Sequence, residues 1–343
     1  MKKVVIIGAG RIFNKHFEAI TSLKKYYDIV GVFDTNHERN TISAQKCNTK
    51  SYSNYDDLIQ STNPDIVTVL VESGNHLKVC KDIISKHKIK NFIIEKPIDV
   101  SIKKILEFNN FIRNKKINIF TVKQNRFNKA VKKAKDLIDK KLIGSIFMIS
   151  ASCKWRRDQS YYNLDKWRGK RSLDGGVLMN QAIHQIDLLI HLAGDVESVT
   201  GYGQTRFVNM QCENIAVAAL KFKNKAVGII EATTATAPKD YEGTIVIMGS
   251  KGTIKIGGFA SNKLEYFSNT YGTKIDLKKF SSKIGSVYGY GHLEFYKYVN
   301  AYLSGRIANN QFNISQAIKS VYVVETIVKS FQTKNKVNLK KII

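Results

Sequence analysis

Features that would assign the chain to a secreted, membrane or metal-binding class are missing. No apolar run approaches the roughly 20 residues that a membrane helix needs, and Met1-Lys2-Lys3 leads directly into an apolar strand rather than a signal peptide. The cysteines have neither Cys-x-x-Cys nor zinc-site spacing. They are Cys47, Cys80, Cys153 and Cys212. We therefore expect reduced thiols, a cytoplasmic location, no membrane partner and no metal.

Acidic residues are also few, with 28 Asp and Glu against 55 Lys and Arg, which gives a net charge of +27. This excess raises the question of a nucleic-acid partner. The basic residues are spread along the whole chain, however, and no RNP, helix-turn-helix or zinc-finger pattern occurs. We therefore expect no nucleic-acid partner. A basic surface would still attract a phosphorylated substrate.

The pattern of apolar segments predicts two domains, at 1–124 and 125–343. In the first, short apolar runs alternate with amphipathic segments, which is typical of an α/β fold with a doubly wound parallel sheet. The predicted strands are 3–7, 29–33, 66–71, 91–95 and 117–122. The helices predicted between them include 14–25, 54–61, 76–87 and 101–114.

After residue 123 the pattern predicts an α+β domain with a large open antiparallel sheet. Short turns at 223–225 and 249–252 indicate hairpins, and a basic, aromatic loop is expected at 153–173. The predicted strands are 145–152, 196–206, 214–223, 226–236, 242–249 and 252–257. The predicted helices are 128–141, 176–192, 290–303 and 314–331.

A glycine motif, Gly8-Ala9-Gly10-Arg11-Ile12, lies between the first strand and a helix. Glycines there allow a tight turn and a close approach to a pyrophosphate at the helix N-terminus, although Phe13 replaces the third glycine. Asp34 ends the second strand, where a carboxylate binds the adenosine ribose and repels a 2′-phosphate. The sequence therefore predicts NAD rather than NADP. The alternative is a simple turn with a capping aspartate.

Two more motifs follow strands at the edge of the sheet where α/β proteins bind ligands. Ser73-Gly74-Asn75-His76 follows the third strand, and His76 either caps the next helix or lines the cofactor cleft. Glu95-Lys96-Pro97 follows a buried run, and Pro97 is one of only three prolines. Because a buried lysine is costly without a partner, we expect Lys96 beside a nicotinamide, polarising a sugar hydroxyl. A surface lysine before a turn is the alternative.

Polar residues in the second domain form two further candidate sets. Asn180, His184 and Asp187 are spaced i, i+4 and i+7, which places them on one face of the predicted helix 176–192. His191 is expected to be structural. Arginines and aromatics in 123–128 and 153–173 suggest bidentate binding of phosphates and stacking on bases or sugars. Hydrated surface loops are the alternative.

These motifs together resemble the Gfo/Idh/MocA family of nicotinamide-dependent sugar oxidoreductases. The glycine motif, Glu95-Lys96-Pro97 and the helix that carries His184 and Asp187 occur in the family's order across most of the chain. The resemblance implies an N-terminal Rossmann domain and a C-terminal α+β domain with an open antiparallel sheet. In this family the bond between the corresponding lysine and proline is often cis, so the resemblance implies a cis Lys96–Pro97 bond.

Three segments are similar to a narrower subgroup, the bacterial dehydrogenases that oxidise C3 of UDP-N-acetyl-glucosaminuronic acid for surface polysaccharides. They are Lys123-Gln124-Asn125-Arg126-Phe127-Asn128, Leu178-Met179-Asn180-Gln181 and Glu231-Ala232-Thr233-Thr234-Ala235-Thr236. Most family members have Asp where Asn180 stands, and the subgroup shares the Asn. Some relatives reoxidise NADH in place with 2-oxoglutarate.

The resemblance implies NAD as cofactor, a nucleotide-activated sugar as substrate, and Lys96 and His184 as catalytic residues. The expected cofactor-binding residues are Gly8, Gly10, Arg11, Ile12, Asp34, Ser73, Asn75, His76, Glu95, Lys96 and Gln124. The expected substrate-binding residues are Lys96, Arg126, Asn128, Trp167, Arg168, Asn180, Gln181 and His184.

Two alternative functions stay open at the level of sequence. One is a dehydrogenase of a non-nucleotide sugar or polyol, and the other is a non-catalytic NAD-binding sensor of the same fold. The presence of both Lys96 and His184 argues against the sensor, since a silent protein has no need of that pair. Because large apolar sheet faces are rarely left to water, we also expect a homodimer or homotetramer.

Overall fold

The computed structural model describes residues 1–285 and 289–340. The chain divides into two compact units, Met1–Val122 with His292–Ile318, and Lys123–Gly291 with Lys319–Ile343. The first unit therefore contains the expected domain 1–124 almost entirely and adds a segment, 292–318, that the sequence pattern grouped with the second domain.

The first unit is built on a five-stranded parallel sheet with the order β2-β1-β3-β4-β5. Its strands are β1 (Lys2–Ile7), β2 (Tyr27–Phe33), β3 (Ile66–Val69), β4 (Asn91–Ile94) and β5 (Asn118–Thr121). Its helices are α1 (Phe13–Thr21), α2 (His37–Lys46), α3 (Tyr55–Thr62), α4 (His76–Lys86), α5 (Ile102–Ile112) and α10 (Gly291–Leu303). The predicted Rossmann sheet is confirmed.

The strands of this sheet are apolar almost without interruption because both of their faces are covered. Ile6 of β1 pairs with Val32 on one side and Thr68 on the other, and all three are completely buried. Phe92, Ile93 and Ile94 of β4 are equally buried. The carboxyl ends of these strands carry the glycine turn, Asp34 and Lys96, as the sequence predicted.

The added segment 292–318 completes this unit along β5. The backbone N–H of Thr121 donates to the carbonyl oxygen of Phe312 at 2.8 Å. The side-chain amide of Asn310 donates to the backbone carbonyl oxygen of Ile119, also at 2.8 Å. Phe295 and Tyr296 of α10 are fully buried. The segment therefore covers polar groups at the sheet edge and supplies part of the core.

The second unit contains an eight-stranded sheet with the order β12-β11-β10-β6-β9-β8-β7-β13. Its strands are β6 (Ile146–Lys154), β7 (Val196–Gln204), β8 (Ile215–Phe222), β9 (Val227–Thr233), β10 (Glu242–Gly249), β11 (Gly252–Gly257), β12 (Lys263–Asn269) and β13 (Val337–Asn338). Its helices are α6 (Lys129–Asp139), α7 (Gln159–Asn163), α8 (Gly176–Asn180) and α9 (Ile183–Ala193), with most of α11 (Ile314–Thr333).

The predicted large antiparallel sheet is confirmed, with one parallel pair, β6 with β9. Both predicted hairpins form, since β8 pairs antiparallel with β9 and β10 with β11. The expected loop 153–173 contains the short helix α7. Among the residues the structure describes, no helix has the length and apolar character needed to cross a membrane.

Candidate functional site

The glycine turn at the end of β1 has a backbone that a larger residue could not adopt without strain. Gly8 has a φ of +100°, and a Cβ there would lie 2.6 Å from the carbonyl carbon of Leu70. At Gly10 a Cβ would meet no atom within 4 Å. The backbone is thus bare at the point where a dinucleotide pyrophosphate approaches. Ile12 directly precedes α1, next to the exposed Arg11.

Asp34 links this turn to the end of β2. Its Oδ2 accepts the N–H of Ala9 at 2.7 Å, and its Oδ1 accepts the N–H of Asn36 at 2.7 Å. The guanidinium of Arg39, a residue that the sequence reasoning missed, lies 3.5 Å from Oδ1. This carboxylate suits the hydroxyl groups of an NAD ribose, because it is held beside the glycine turn and keeps lone pairs that can accept further hydrogen bonds.

Ser73, Asn75 and His76 form the turn that begins α4. Asn75 stands at the N-cap but its side chain donates to Glu72 at 2.8 Å instead of capping. The buried ring of His76 lies between the carbonyl oxygens of Pro97 (2.8 Å) and Val71 (2.9 Å). Burial lowers the pKa of His76. The ring therefore contacts two ligand-edge loops and, when neutral, donates its one N–H to one of the two carbonyl oxygens.

Glu95 and Lys96 directly follow β4, and the Lys96–Pro97 bond is cis. Glu95 is 5% exposed, and its Oε2 accepts the backbone N–H of Lys96 at 2.9 Å. Its Oε1 lies 3.0 Å from Nε2 of His16 and 3.3 Å from Nε2 of His292. The sequence reasoning missed both histidines, because nothing in their spacing connects α1, β4 and α10.

In the second unit, the expected single helix over 176–192 is wrong. The carbonyl oxygen of Val177 accepts N–H groups from both Gln181 and Ala182, at 3.1 and 2.8 Å. This wider turn separates α8 from α9 and breaks the regular i, i+4, i+7 spacing. Asn180 therefore ends α8, whereas His184 and Asp187 belong to α9.

The second glycine of the pair at the start of α8 is required by a buried carboxylate. Gly175 and Gly176 have φ values of +78° and +85°, and a Cβ on Gly176 would lie 2.5 Å from Oε1 of Glu213. Burial raises the pKa of Glu213 to about 7. Sequence reasoning placed the glycines correctly at a helix start but gave no sign of Glu213.

Asp187 forms the centre of a buried ion cluster. Nε of Arg126 donates to its Oδ2 at 2.7 Å and Nη2 of Arg126 to its Oδ1 at 2.8 Å, while Nζ of Lys123 also donates to Oδ1. Burial acts to raise the pKa of Asp187, but the two cations outweigh it and lower that pKa. Burial lowers the pKa of Lys123 to about 8.

His184 lies at the start of α9 and is 9% exposed. Asn180 donates its side-chain amide to Asp174, whose other oxygen accepts the N–H of Gly169 at 2.7 Å. Gln181, between the two helices, is buried. The turn at 180–184 thus holds an amide and an imidazole on a fixed backbone.

The remaining candidate side chains are already engaged within their unit. Arg168 contacts Tyr161 and Trp167, with its guanidinium carbon 4.4 and 4.6 Å from the ring centres, and its Nε donates to Asp165 at 3.1 Å. Asn128 donates to the carbonyl oxygens of Ala260 and Ser261, each at 3.1 Å.

Gln124 is 1% exposed, and its Oε1 has no hydrogen-bond partner among residues 1–285 and 289–340. A buried amide oxygen with no partner is costly, so this atom could accept a hydrogen bond from a ligand.

Comparison with known proteins agrees with this arrangement. A model described as "Oxidoreductase family, NAD-binding Rossmann fold" matches residues 2–123, and a model of the GFO/IDH/MocA C-terminal domain matches residues 131–255. Curated relatives include myo-inositol 2-dehydrogenase of Thermotoga maritima, which is 27% identical over 86% of this chain and 84% of its own. Glucose-6-phosphate 3-dehydrogenase of Bacillus subtilis is 26% identical over 73% of each chain.

Two solved structures resemble the whole chain. The WlbA dehydrogenase of Bordetella pertussis, in complex with NADH and UDP-GlcNAcA, has a TM-score of 0.93 and 29% identity, covering 99% of this chain and 98% of its own. The WlbA dehydrogenase of Chromobacterium violaceum, with the same ligands, has a TM-score of 0.92 and 28% identity, covering 100% and 97%.

Asp34 generates a first prediction, on cofactor selectivity. Asp34→Ser should weaken NADH binding roughly tenfold or more, since it removes a charged acceptor of ribose hydrogen bonds. It should also improve NADPH binding, because the carboxylate that repels a 2′-phosphate is removed while the guanidinium of Arg39 stays nearby. Fluorescence titration with NADH and with NADPH measures the ratio of the two dissociation constants. Asp28→Ser, an exposed change in β2, is the control and should alter neither affinity.

Asp187 generates a second prediction, on stability. Asp187→Asn leaves Lys123 and Arg126 buried without a carboxylate, which should cost about 3–5 kcal/mol of unfolding free energy. The loss of unfolding free energy should be larger at pH 6 than at pH 8.5. Without the carboxylate, Lys123 of the folded variant has a still lower pKa than in the wild type, so it releases its proton at a lower pH. Once Lys123 is neutral, its buried charge no longer destabilises the variant.

Chemical denaturation at both pH values checks this. Asp195→Asn is the matched control in the same unit, because the ion pair of Asp195 with Lys319 is exposed (2.8 Å) and should contribute less than about 1 kcal/mol. An equal deficit at the two pH values would contradict a buried, titrating Lys123.

Proposed function

The chain belongs to the Gfo/Idh/MocA oxidoreductase family, and on that premise we propose that it oxidises a hydroxyl of a nucleotide-activated sugar with NAD. The substrate we propose is a UDP-N-acetylhexosaminuronate, oxidised at C3 during the synthesis of surface-polysaccharide sugars. The observation that carries the proposal is the agreement, along nearly the whole chain, with dehydrogenase structures that hold NADH and UDP-GlcNAcA.

We propose the following chemistry for the site residues. NAD, when bound, accepts the hydride from the carbon that is oxidised. His184 takes the proton of the hydroxyl, since an imidazole titrates near neutral pH. Lys96 stabilises the developing negative charge on the oxygen and positions the hydroxyl. The reverse division of these roles is the alternative.

The other proposed contacts follow from local geometry. Asn180, fixed by Asp174, orients the sugar. Trp167 and Arg168 contact the diphosphate or uronate, as does Arg126. The last two guanidinium groups already bind Asp165 and Asp187, so any ligand would add to existing ion pairs. Reoxidation of NADH in place by 2-oxoglutarate stays a prediction.

The similarity to myo-inositol 2-dehydrogenase favours one alternative, a dehydrogenase of a polyol or of a sugar without a nucleotide. The two possibilities differ in what they need beside the reacting carbon. A sugar nucleotide needs cationic groups for its diphosphate, and the aromatic, arginine-containing segment 153–173 offers such groups. A small neutral polyol has no use for them.

Lys96 and His184 generate the test of this proposal. Lys96→Ala and His184→Ala should each lower kcat at least 100-fold, since each removes a group that handles charge in the transition state. NADH binding should persist. The assay follows absorbance at about 340 nm, the band of reduced nicotinamide, at enzyme concentrations that reveal one turnover. The panel contains UDP-sugars, including the N-acetylated uronic acid, glucose 6-phosphate and myo-inositol.

Two controls separate catalysis from folding. Lys90→Ala removes an exposed lysine just before β4, and His191→Ala removes a second histidine of α9. Both should keep wild-type turnover. If the protein oxidised myo-inositol but no UDP-sugar, the proposed nucleotide-sugar substrate would be wrong and a polyol would be the substrate. NADH binding without turnover on any substrate would favour a sensor.

We also propose that the chain forms a homo-oligomer through the open face of the second sheet. Strand register places Val217 of β8, Ile229 of β9 and Met148 of β6 on one face. These side chains are 42%, 42% and 38% exposed. Tyr202 and Met248 continue the same surface, because Tyr202 pairs with Val217 and Met248 with Met148. A second copy of this surface would remove the apolar patch from water.

Ile229→Lys should therefore lower the molar mass measured by light scattering, because it places a charge in the buried contact. Leu164→Lys adds the same charge at an apolar side chain that is 61% exposed elsewhere, and it should leave the mass unchanged. A wild-type protein that is monomeric at micromolar concentration would rule out this oligomer.

A further inference from the structure

The proposed chemistry makes no use of a buried polar cluster in the first unit. His16 of α1 and Tyr296 of α10 are completely buried, and His292 is 2% exposed. Nδ1 of His16 lies 2.8 Å from the hydroxyl oxygen of Tyr296, and that oxygen lies 3.4 Å from the hydroxyl of Thr68. The two histidines meet at Glu95, the residue before Lys96.

The protonation states in this cluster follow from its geometry. Burial lowers the pKa of His16, so its ring is neutral. The hydroxyl of Tyr296 can donate to Nδ1 of His16, which leaves the proton on Nε2 to be donated to Glu95. Burial alone would raise the pKa of Glu95, but the donors His16 and His292 hold it well below its ordinary value. Glu95 is thus a buried carboxylate with imidazole donors on Oε1 and the Lys96 N–H on Oε2.

We propose that Glu95, clamped by His16 and His292, is a positioning residue that fixes the backbone from which Lys96 projects. A carboxylate without donors would turn towards water or take up a proton. With both imidazoles on Oε1, its second oxygen is held against the N–H of Lys96 at 2.9 Å. This inference rests on the proposed catalytic role of Lys96.

His292 makes the clamp depend on a segment from far along the chain, 197 positions after Glu95. α10 is held in the core of the first unit by burial, because the side chains of Phe295 and Tyr296 are fully buried. The segment 292–318, which belongs to the first unit, therefore has a specific role. It supplies one of the donors that orient the residue before Lys96.

A metal ion is the main competing occupant, because the ligand atoms of His16, Glu95 and His292 all lie within 4.8 Å of one another. The distances of 3.0 and 3.3 Å from Oε1 to the ring nitrogens suit direct hydrogen bonds. A bound ion would instead take the lone pairs of those nitrogens and separate the groups. Metal content therefore belongs in the test.

The test compares His292→Ala, His292→Gln and Tyr27→Phe in the full chain. Nδ1 of His292 has no hydrogen-bond partner within the described residues, so a glutamine amide can replace the single donor at Nε2. Tyr27→Phe removes a buried hydrogen bond to α10 and leaves Glu95 untouched. It controls for a general loss of stability.

The first readout needs no substrate. Hydrogen exchange at the Lys96 amide should become roughly fivefold to tenfold faster in His292→Ala, as expected for the loss of about one hydrogen bond. His292→Gln should restore most of the protection, and Tyr27→Phe should not alter it. Unchanged protection in His292→Ala, or a stoichiometric metal found in the wild type by elemental analysis, would overturn the proposal.

The second readout uses turnover. In His292→Ala, kcat should fall at least tenfold with little change in KM or NADH affinity, and His292→Gln should recover it. A fall in kcat of equal size in Tyr27→Phe would show a merely structural effect and overturn the positioning role. If the wild type oxidises no substrate, the proposed function fails, and the exchange readout still decides whether the clamp exists.

Discussion

A buried carboxylate must be given hydrogen-bond donors, and the first unit is organised around that requirement at Glu95. The carboxylate lies directly after Phe92, Ile93 and Ile94, which are fully buried, and Glu95 is itself only 5% exposed. Donors therefore come from α1 through His16 and from α10 through His292. Meeting this constraint brings together segments that are distant in sequence and joins the segment 292–318 to the sheet.

The second unit also contains a buried carboxylate, but it is stabilised by different partners. Asp187 is also buried, but its partners are cations, Arg126 and Lys123, rather than imidazoles. Strong pairing keeps Asp187 ionised, and the low pKa of Lys123 shows how costly the burial of both charges is. Asp187 lies one helix turn after His184 on α9. The ion cluster therefore fixes the helix that presents the proposed base, as Glu95 fixes the backbone of Lys96.

Much of the fold follows from local sequence, and the rest depends on contacts that local patterns do not encode. Apolar runs such as Val4–Ile7 predict buried parallel strands, because both faces of each strand must be covered. The place of Lys96 at a strand end follows from the same pattern. The break between Asn180 and Ile183 could not be predicted, because the carbonyl of Val177 accepts two N–H groups in a stretch whose composition suits a continuous helix.

The candidate site was only partly predictable for a related reason. Motifs identify residues whose neighbours in sequence are informative, such as Gly8 and Asp34. They do not identify His292, whose partner is 197 positions away, or Glu213, whose effect is to exclude any side chain at Gly176. A protein that only senses NAD needs the glycine turn and Asp34. The buried carboxylates Glu95, next to Lys96, and Asp187, one helix turn after His184, are a stability cost that such a protein has no reason to carry. They suit the precise placement that the proposed catalytic roles of Lys96 and His184 require.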